Sequence, residues 1–223
     1  MLADRLIFNP AAQVPDGAYL FYKFDEAAAS TTVENFAGAT DGSRDGTVTS
    51  VAGEFDTAWN FALGPSVNTN IVTPSGAVSL STWVKFNTLS GRQIIAADIA
   101  ASGLDNSARL FFGINGANYE MIVANGSSAF YNGTSFPHGL TAGVYTNLTY
   151  TLSGTAINIY KNGVLAYSIT SSVAKGGASA DALRFAKGGA FAGIYLNAAL
   201  DQTRLYNREL NAAEVMQLYM EAA

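Results

Sequence analysis

Residues 157–169 read INIYKNGVLAYSI. Apolar and polar residues alternate on both sides of Asn162-Gly163, as they do in a strand that buries one face. Asn-Gly supplies the two positive φ angles of a type I′ turn, and the twist of that turn matches the twist of the flanking strands. The stretch therefore predicts an antiparallel β-hairpin that turns at Asn162-Gly163.

The same pattern of strands and turns recurs along the chain. Three more Asn-Gly pairs, at 115–116, 125–126 and 132–133, fall between short apolar runs. Many short strands separated by turn residues are typical of an antiparallel β-sandwich. The predicted strands are residues 18–24, 59–63, 78–86, 93–99, 109–114, 119–124, 144–152, 156–161, 164–170, 183–186 and 193–206.

The last residues of the chain predict one helix. Asn211 can act as the N-cap, Glu214 completes a capping box, and Val215, Leu218 and Tyr219 form an apolar stripe at helical spacing. A single short helix after many strands contradicts a fold of alternating strands and helices. We therefore predict an all-β fold, a two-sheet antiparallel jelly-roll sandwich with one short C-terminal helix.

The composition indicates a single packed domain. Of the 223 residues, 49% are hydrophobic and 13% are charged, which is far from the composition of a disordered chain. A β-sandwich of this length needs no second domain. Pro10 and Pro15 interrupt regular strand pairing near the N-terminus. We predict an N-terminal arm over residues 1–17 and one domain over residues 18–223.

The charge of the chain disfavours several partners. The net charge is −5 and the 12 Lys and Arg residues form no run, whereas nucleic-acid binding needs clustered basic residues. An anionic membrane surface is disfavoured for the same reason, and no apolar stretch approaches the ~20 residues of a membrane-spanning helix. The chain has no Cys, which excludes disulfides and thiolate metal sites. We recognise no signal peptide at the N-terminus.

Several motifs follow one another in an order found in a known family. They are residues 19–26 (YLFYKFDE), 45–48 (DGTV), 53–61 (GEFDTAWNF), 78–85 (VSLSTWVK), 145–150 (YTNLTY), 160–163 (YKNG) and 200–210 (LDQTRLYNREL). The chain resembles the laminin-G-like, concanavalin A-like lectin/glucanase jelly-roll superfamily, in particular its bacterial and phage members. The last motif is similar to the closing signature of that superfamily almost residue for residue. The resemblance spans roughly residues 18–220.

The resemblance implies a calcium site. Many relatives bind Ca²⁺ between carboxylates of the first strand, the loop after it and an Asp of the closing strand, and the matching positions here are Asp25, Asn35, Asp45 and Asp201. Carboxylate, amide and carbonyl oxygens are the ligands that Ca²⁺ requires. The loop at residues 34–39 departs from the family pattern. The alternative is that Asp25 and Asp201 are ordinary turn residues at strand ends.

The sequence lacks the residue patterns of known catalytic sites. Glycoside hydrolases of this fold carry Glu-x-Asp-x-x-Glu, but the only Glu-x-Asp here is Glu54-Phe55-Asp56, and Trp59 replaces the final Glu. One histidine, His138, cannot form a zinc site without Cys, and we expect it to be a solvated turn residue. The Gly-rich residues 188–193 lack the Lys-Ser/Thr pair of a phosphate loop. We predict that the protein is not an enzyme.

Loop aromatics are the candidate ligand-binding residues, because aromatic rings suit the apolar face of a sugar or of a protein partner. The alternative is that each ring simply fills the core. The candidates are Tyr119, Phe130, Tyr131, Phe136 and Phe191.

Three classes of function remain: a structural or adhesive virion protein, a secreted carbohydrate-binding module and an enzyme. We expect a non-catalytic structural or adhesive protein, a phage virion decoration or tail-associated protein, located on a virion or an extracellular surface. A secreted, lectin-like carbohydrate-binding module is the alternative. The expected partners are other virion or surface-assembly proteins that contact residues 1–17, repeated copies of the chain itself, and a glycan.

Overall fold

The computed structural model describes residues 17–38, 40–98, 110–131, 135–176, 182–187 and 194–221. These residues form strands and one C-terminal helix. In chain order the elements are β1 (Ala18–Tyr22), β2 (Thr32–Val33), β3 (Gly42–Asp45), β4 (Thr49–Ala52), β5 (Thr57–Ala62), β6 (Ser66–Val72), β7 (Val78–Phe86), β8 (Arg92–Ala97), β9 (Leu110–Asn115), β10 (Asn118–Ala124), β11 (Ala129–Tyr131), β12 (Thr146–Ser153), β13 (Ala156–Lys161), β14 (Val164–Thr170), β15 (Ala182–Phe185), β16 (Asn197–Tyr206) and α1 (Ala212–Met220).

The strands form two antiparallel sheets of eight strands each. Sheet A has the order β14-β13-β12-β7-β16-β5-β4, with β1 paired to β16. Sheet B has the order β11-β10-β9-β8-β15-β6-β3-β2. The two sheets form a sandwich, so the predicted jelly-roll fold is confirmed. Within the described part of the chain, no helix is long and apolar enough to cross a membrane.

The hydrophobic core lies between the sheets, because alternate residues of each strand point inward. Leu80, Leu148 and Leu205 of sheet A and Phe112 and Phe185 of sheet B belong to one buried cluster. The hairpin of β13 and β14 turns at Asn162 (φ 51°) and Gly163 (φ 76°), with Lys161 opposite Val164. These two positive φ values are those of the predicted type I′ turn.

Helix α1 covers part of the outer face of sheet A. Asn211 accepts hydrogen bonds from the backbone of Ala213 and Glu214, and the Glu214 carboxylate accepts one from the Asn211 backbone, which confirms the predicted capping box. Val215 and Leu218 pack against Tyr160, Tyr206 and Leu210 on that face.

Strand β16 divides into two halves at a bulge, and this bulge positions the candidate site. Its first half pairs with β5 and its second half with β1. The pairing with β7 is irregular between Asp201 and Arg204, and Gln202 has a positive φ of 46°. Asp201 therefore lies where β1, β5 and β16 meet.

Candidate functional site

Two carboxylates, Asp25 and Asp201, lie close together at the bulge of β16. Asp201 is fully buried; its Oδ2 accepts a hydrogen bond from the backbone N–H of Phe55 at 2.9 Å, and its Oδ1 has no hydrogen-bond partner. Oδ1 of Asp25 is likewise buried without a partner. The turn at Gly53 closes the site, since a Cβ atom there would lie 2.6 Å from Asp201 Oδ2. The bulge therefore holds two buried carboxylate oxygens that lack hydrogen bonds.

Burial dominates the electrostatics of this pair. Desolvation raises the pKa of Asp201 to about 7, the Phe55 N–H opposes this rise, and the charge of Asp25 adds to it. The pKa of Asp25 is also raised, again by desolvation first. Both carboxyl groups are therefore harder to ionise than a solvent-exposed aspartate, although the charge of Lys23 partly opposes this effect at Asp25.

The oxygens of Asp25 and Asp201 that lack hydrogen bonds are of the carboxylate type that Ca²⁺ takes as ligands. Among the described residues, no group of three or more His, Cys, Asp or Glu side chains is placed to hold a metal ion. A Ca²⁺ ion takes six to eight oxygen ligands, so backbone carbonyls and water would have to supply the others.

The other two predicted calcium ligands lie elsewhere. Asn35 is buried, and its Oδ1 accepts hydrogen bonds from the backbone N–H groups of Phe21 and Ala37. Asp45 lies on β3 of sheet B, where its side chain is 77% exposed and lies 3.9 Å from the Lys187 ammonium. The Asn35 oxygen is thus already used by two backbone N–H groups, and Asp45 is on the other sheet from Asp201.

A polar depression opens in the segment after β1, where Glu26, the residue that follows Asp25, forms part of its lining. It has a volume of ≈ 360 Å³ and is lined by Glu26, Ser30, Thr32, Glu34, Asn35 and Asp41. Oε1 of Glu26 accepts a hydrogen bond from the Glu34 N–H, and Oε2 of Glu26 is buried without a partner. The Asn35 N–H donates to Asp41 Oδ1 at 2.9 Å, which joins the two sides of the depression. Desolvation raises the pKa of Glu26, and the charges of Asp25 and Glu34 add to this effect.

Phe36 follows Asn35, a lining residue of this depression, in the sequence. It is 45% exposed, and every other aromatic residue whose side chain the structure describes is buried or half-buried. The ring lies 5.8 Å from the ring of Phe21, and the Lys23 ammonium lies 4.2 Å from its centroid. Phe21 and Lys23 therefore hold Phe36 in place while part of its surface stays open to solvent.

The aromatic candidates from the sequence have other environments. Tyr119 is fully buried and its hydroxyl donates to the His138 carbonyl, an environment that matches the alternative of a ring that fills the core. Phe130 and Phe136 are half-buried against the main core. Tyr131 is in β11, but its side chain and the whole of Phe191 lie outside the described residues.

His138 also differs from its prediction as a solvated turn residue. It is buried, its Nδ1 accepts a hydrogen bond from the Leu140 N–H at 2.9 Å, and its Nε2 lies 2.9 Å from the Gly116 carbonyl. Because Nδ1 accepts, Nε2 carries the proton and donates to Gly116. His138 ties the loop at residues 136–140 to the turn between β9 and β10.

The comparisons with known proteins agree with this architecture. A family model described as the concanavalin A-like lectin/glucanases superfamily matches residues 63–216. The chain belongs to this superfamily. No curated protein sequence matches it.

Solved structures with the concanavalin A-like fold resemble this chain at low sequence identity. Domain 4 of AbnA, a GH43 extracellular arabinanase from Geobacillus stearothermophilus in complex with arabinotriose, is 16% identical with a TM-score of 0.72, over 91% of this chain and 98% of that chain. The binding domain of botulinum neurotoxin DC in complex with rat synaptotagmin II is 14% identical with a TM-score of 0.70, over 95% and 53%. The binding domain of Paraclostridial Mosquitocidal Protein 1 is 16% identical with a TM-score of 0.69, over 93% and 52%. This chain thus spans about half the length of the toxin domains, and these likenesses show the fold alone.

Sequence reasoning missed the depression in this concanavalin A-like domain. Its lining residues come from the loop after β1, from β2 and from the segment between β2 and β3, and no one-dimensional spacing connects them. One signal was present: Glu26, Glu34 and Asp41 surround the aromatic Phe36 within a short stretch of otherwise small and polar residues.

Proposed function

We propose that this protein is a non-catalytic binding module that recognises a saccharide at the depression beside Phe36. Two observations support the proposal: an exposed aromatic ring held by Phe21 and Lys23, and a depression of carboxylate, amide and hydroxyl groups whose lining residue Asn35 directly precedes that ring in the chain. A sugar ring offers an apolar C–H face and a rim of hydroxyls. The C–H face suits an aromatic ring, and the hydroxyls suit oxygen acceptors and amide donors.

The structural neighbours support this choice of ligand. Domain 4 of the arabinanase was solved with arabinotriose, and this chain covers almost all of that domain. A botulinum neurotoxin binding domain with the same fold was solved with synaptotagmin II, so a protein ligand is the second candidate.

Four of the candidate carboxyl groups are poorly placed for hydrolysis. Asp201 has a raised pKa, but it is fully buried and no substrate can touch it. Glu54 and Asp56 are exposed in the turn between β4 and β5. The Glu26 carboxyl is tied to the Glu34 backbone, and its second oxygen lies below the surface. A retaining hydrolase instead needs two carboxyls that face the substrate ~5–5.5 Å apart.

Calorimetric titration with arabinotriose and a panel of neutral oligosaccharides tests the proposal, with chromatography of the same samples for products. We expect binding without hydrolysis, and we expect Phe36→Ala to weaken it about tenfold, the equivalent of ~1.4 kcal/mol. Leu63→Ala is the matched control, because Leu63 is 60% exposed and does not line the depression. Absence of binding across the panel, an unaffected Phe36→Ala variant, or product formation would each contradict the proposal.

We further propose that a divalent cation, Ca²⁺ by the chemistry of its ligands, binds between Asp25 and Asp201. The two buried oxygens without partners support this, because ionised carboxylates without a counter-charge are costly to bury. Asp25 and Glu26 are consecutive, so a bound cation would also fix the start of the loop that forms the depression.

Calcium is expected to raise the melting temperature, because it binds the native state alone. Calorimetry in Ca²⁺ and in chelator measures the shift. Asp201→Asn should abolish it, whereas Asp45→Asn, on the other sheet, should keep it. Equal transitions in Ca²⁺ and chelator for the natural chain would remove the cation and leave Asp25 and Asp201 as structural residues.

Location on a virion or an extracellular surface stays a prediction from the sequence. The residues proposed to attach the protein there, 1–17, fall almost wholly outside the described residues.

A further inference from the structure

The side chain of Arg204 carries a positive charge that is almost completely buried. It lies on the outer face of sheet A, because its neighbour on β16, Leu205, points into the core. The side chain is 5% exposed, and its Nη1 lies 3.0 Å from Oε2 of Glu221, the C-cap residue of α1. Removal of one partner from a buried ion pair leaves the other charge uncompensated. Glu221 therefore helps to hold the guanidinium in its position.

The Arg204 guanidinium in turn packs on the ring of Phe21. The two residues are register partners on β16 and β1, and the guanidinium carbon lies 4.0 Å from the centre of the ring. A cation over the face of an aromatic ring is attracted electrostatically, and the attraction is stronger where water is excluded. This contact therefore favours one position of the Phe21 ring.

Phe21 also contacts the segment that carries the proposed saccharide site. Its carbonyl accepts a hydrogen bond from the Phe36 N–H at 2.9 Å, and its N–H donates one to Asn35 Oδ1 at 2.9 Å. Its ring lies 5.8 Å from the ring of Phe36, at an interplanar angle of 55°. A continuous row of contacts thus joins the end of the C-terminal helix to the ring proposed to bind the sugar.

We propose that Glu221 is a positioning residue of the saccharide site and acts on the ring of Phe36 through this row of contacts; the inference rests on the proposed function. A ring that is already fixed in the free protein loses less conformational freedom on binding, which strengthens the binding. The last turn of α1 is fixed as well, since the ring of Tyr219 stacks on that of Trp83 with centroids 5.7 Å apart. This turn therefore controls the affinity of a depression that it does not line.

Calorimetric titration of a Glu221→Gln variant with arabinotriose and the same panel of neutral oligosaccharides tests the inference. Glutamine keeps the size of the side chain and its oxygen acceptor but removes the negative charge. We expect the Kd to rise about threefold, because the Phe36 ring is less firmly held before binding. Glu214→Gln is the matched control: it removes the carboxylate of another ion pair of α1, with Arg208 at 2.7 Å, and should leave the Kd unchanged.

The same substitution in a Phe36→Ala background shows whether the effect passes through the ring. Glu221→Gln should raise the Kd of the natural chain but not that of the Phe36→Ala variant, because residues that act through one another have non-additive effects. Circular dichroism melts verify that each variant is folded. If Glu221→Gln does not fold, Glu221→Asp, which keeps the charge but shortens the side chain, should change the Kd in the same direction.

Nuclear Overhauser contacts between the rings of Phe21 and Phe36 test the positioning role without any ligand. They should be present in the natural chain and in Glu214→Gln, and they should weaken in Glu221→Gln. If the natural chain binds no saccharide, the proposed function is wrong, and these ring contacts alone decide the role of Glu221.

Four results would each overturn the inference. They are unchanged ring contacts in Glu221→Gln, an unchanged Kd where the natural chain binds, an equal loss of affinity in Glu214→Gln, and an equal further loss in the Phe36→Ala background. The last result would show that Glu221 acts on the site by another route than the aromatic ring.

Discussion

His138 shows how a single side chain depends on distant parts of the fold. Its sequence neighbours, Pro137 and Gly139, are turn residues, and they predict a solvated ring. The ring is instead buried between the Leu140 N–H and the Gly116 carbonyl. The contact with Gly116 joins residues far apart in the sequence, so local pattern cannot reveal it.

This burial predicts a loss of stability in acid. Desolvation lowers the pKa of His138, the Gly116 carbonyl opposes that shift, and the charge of Lys161 adds to it. The folded-state pKa therefore lies below the unfolded value of about 6.5. The unfolded chain takes up the proton first, so the free energy of unfolding falls as pH drops from about 6.5 towards the folded-state pKa.

Urea unfolding of the natural chain and of a His138→Gln variant between pH 8 and pH 5 measures this effect. The difference between the two proteins isolates the histidine, since the chain has no other. We expect the natural chain to lose stability relative to the variant on acidification, by about 1.4 kcal/mol for each unit by which the pKa is lowered. If the free energies of unfolding of the two proteins instead change equally with pH, protonation of His138 does not destabilise the fold.

At the scale of elements, strands with strict alternation and clear turns were predictable. β7, β13 and β14 have the predicted bounds, because each has apolar residues on one face and ends at a turn or loop. The helix was equally clear, because its cap and its apolar stripe are local features.

Strands whose inward residues are polar or few escaped prediction. β6 (SVNTNIV) buries Thr69 in the core, where its hydroxyl donates to the Leu183 carbonyl of β15 at 2.9 Å. The hydroxyl of Thr69 can be buried in the core because the neighbouring strand β15 supplies this hydrogen-bond acceptor. β2, β3, β4 and β11 are four residues long or shorter and depend on their neighbours in the same way.

At the scale of the molecule, the candidate site depends on pairing between the two ends of the domain. Asp25 follows β1 and Asp201 lies in β16, and antiparallel pairing of these strands brings the carboxylates together. The resemblance to a known superfamily pointed to both residues. It also pointed to Asn35 and Asp45, but a motif carries no information on whether an amide oxygen is already used by backbone N–H groups.

The composition of the N-terminal arm, residues 1–17, predicts that this arm contacts a partner when the protein assembles on a larger surface. This arm includes Leu2, Leu6, Ile7, Phe8 and Val14, a more apolar set than an exposed free tail would carry. The described domain does not need the arm for its first pairing, since β1 begins at Ala18 and pairs with β16 directly. Pro10 and Pro15 restrict the free chain, which lowers the entropy lost when the arm binds a partner.

We therefore expect a chain that lacks residues 1–17 to fold with its Tm changed by no more than about 2–4 °C, the shift that 1 kcal/mol causes at this size. It should lose assembly into larger particles. Circular dichroism melts and sedimentation velocity of the two chains measure both properties. A Phe8→Ser variant of the full chain, with the arm still present, should lose the same assembly if apolar contacts are responsible. If truncation instead unfolds the domain, the arm is a structural part of its own sandwich, and its role in attachment to a larger surface is wrong.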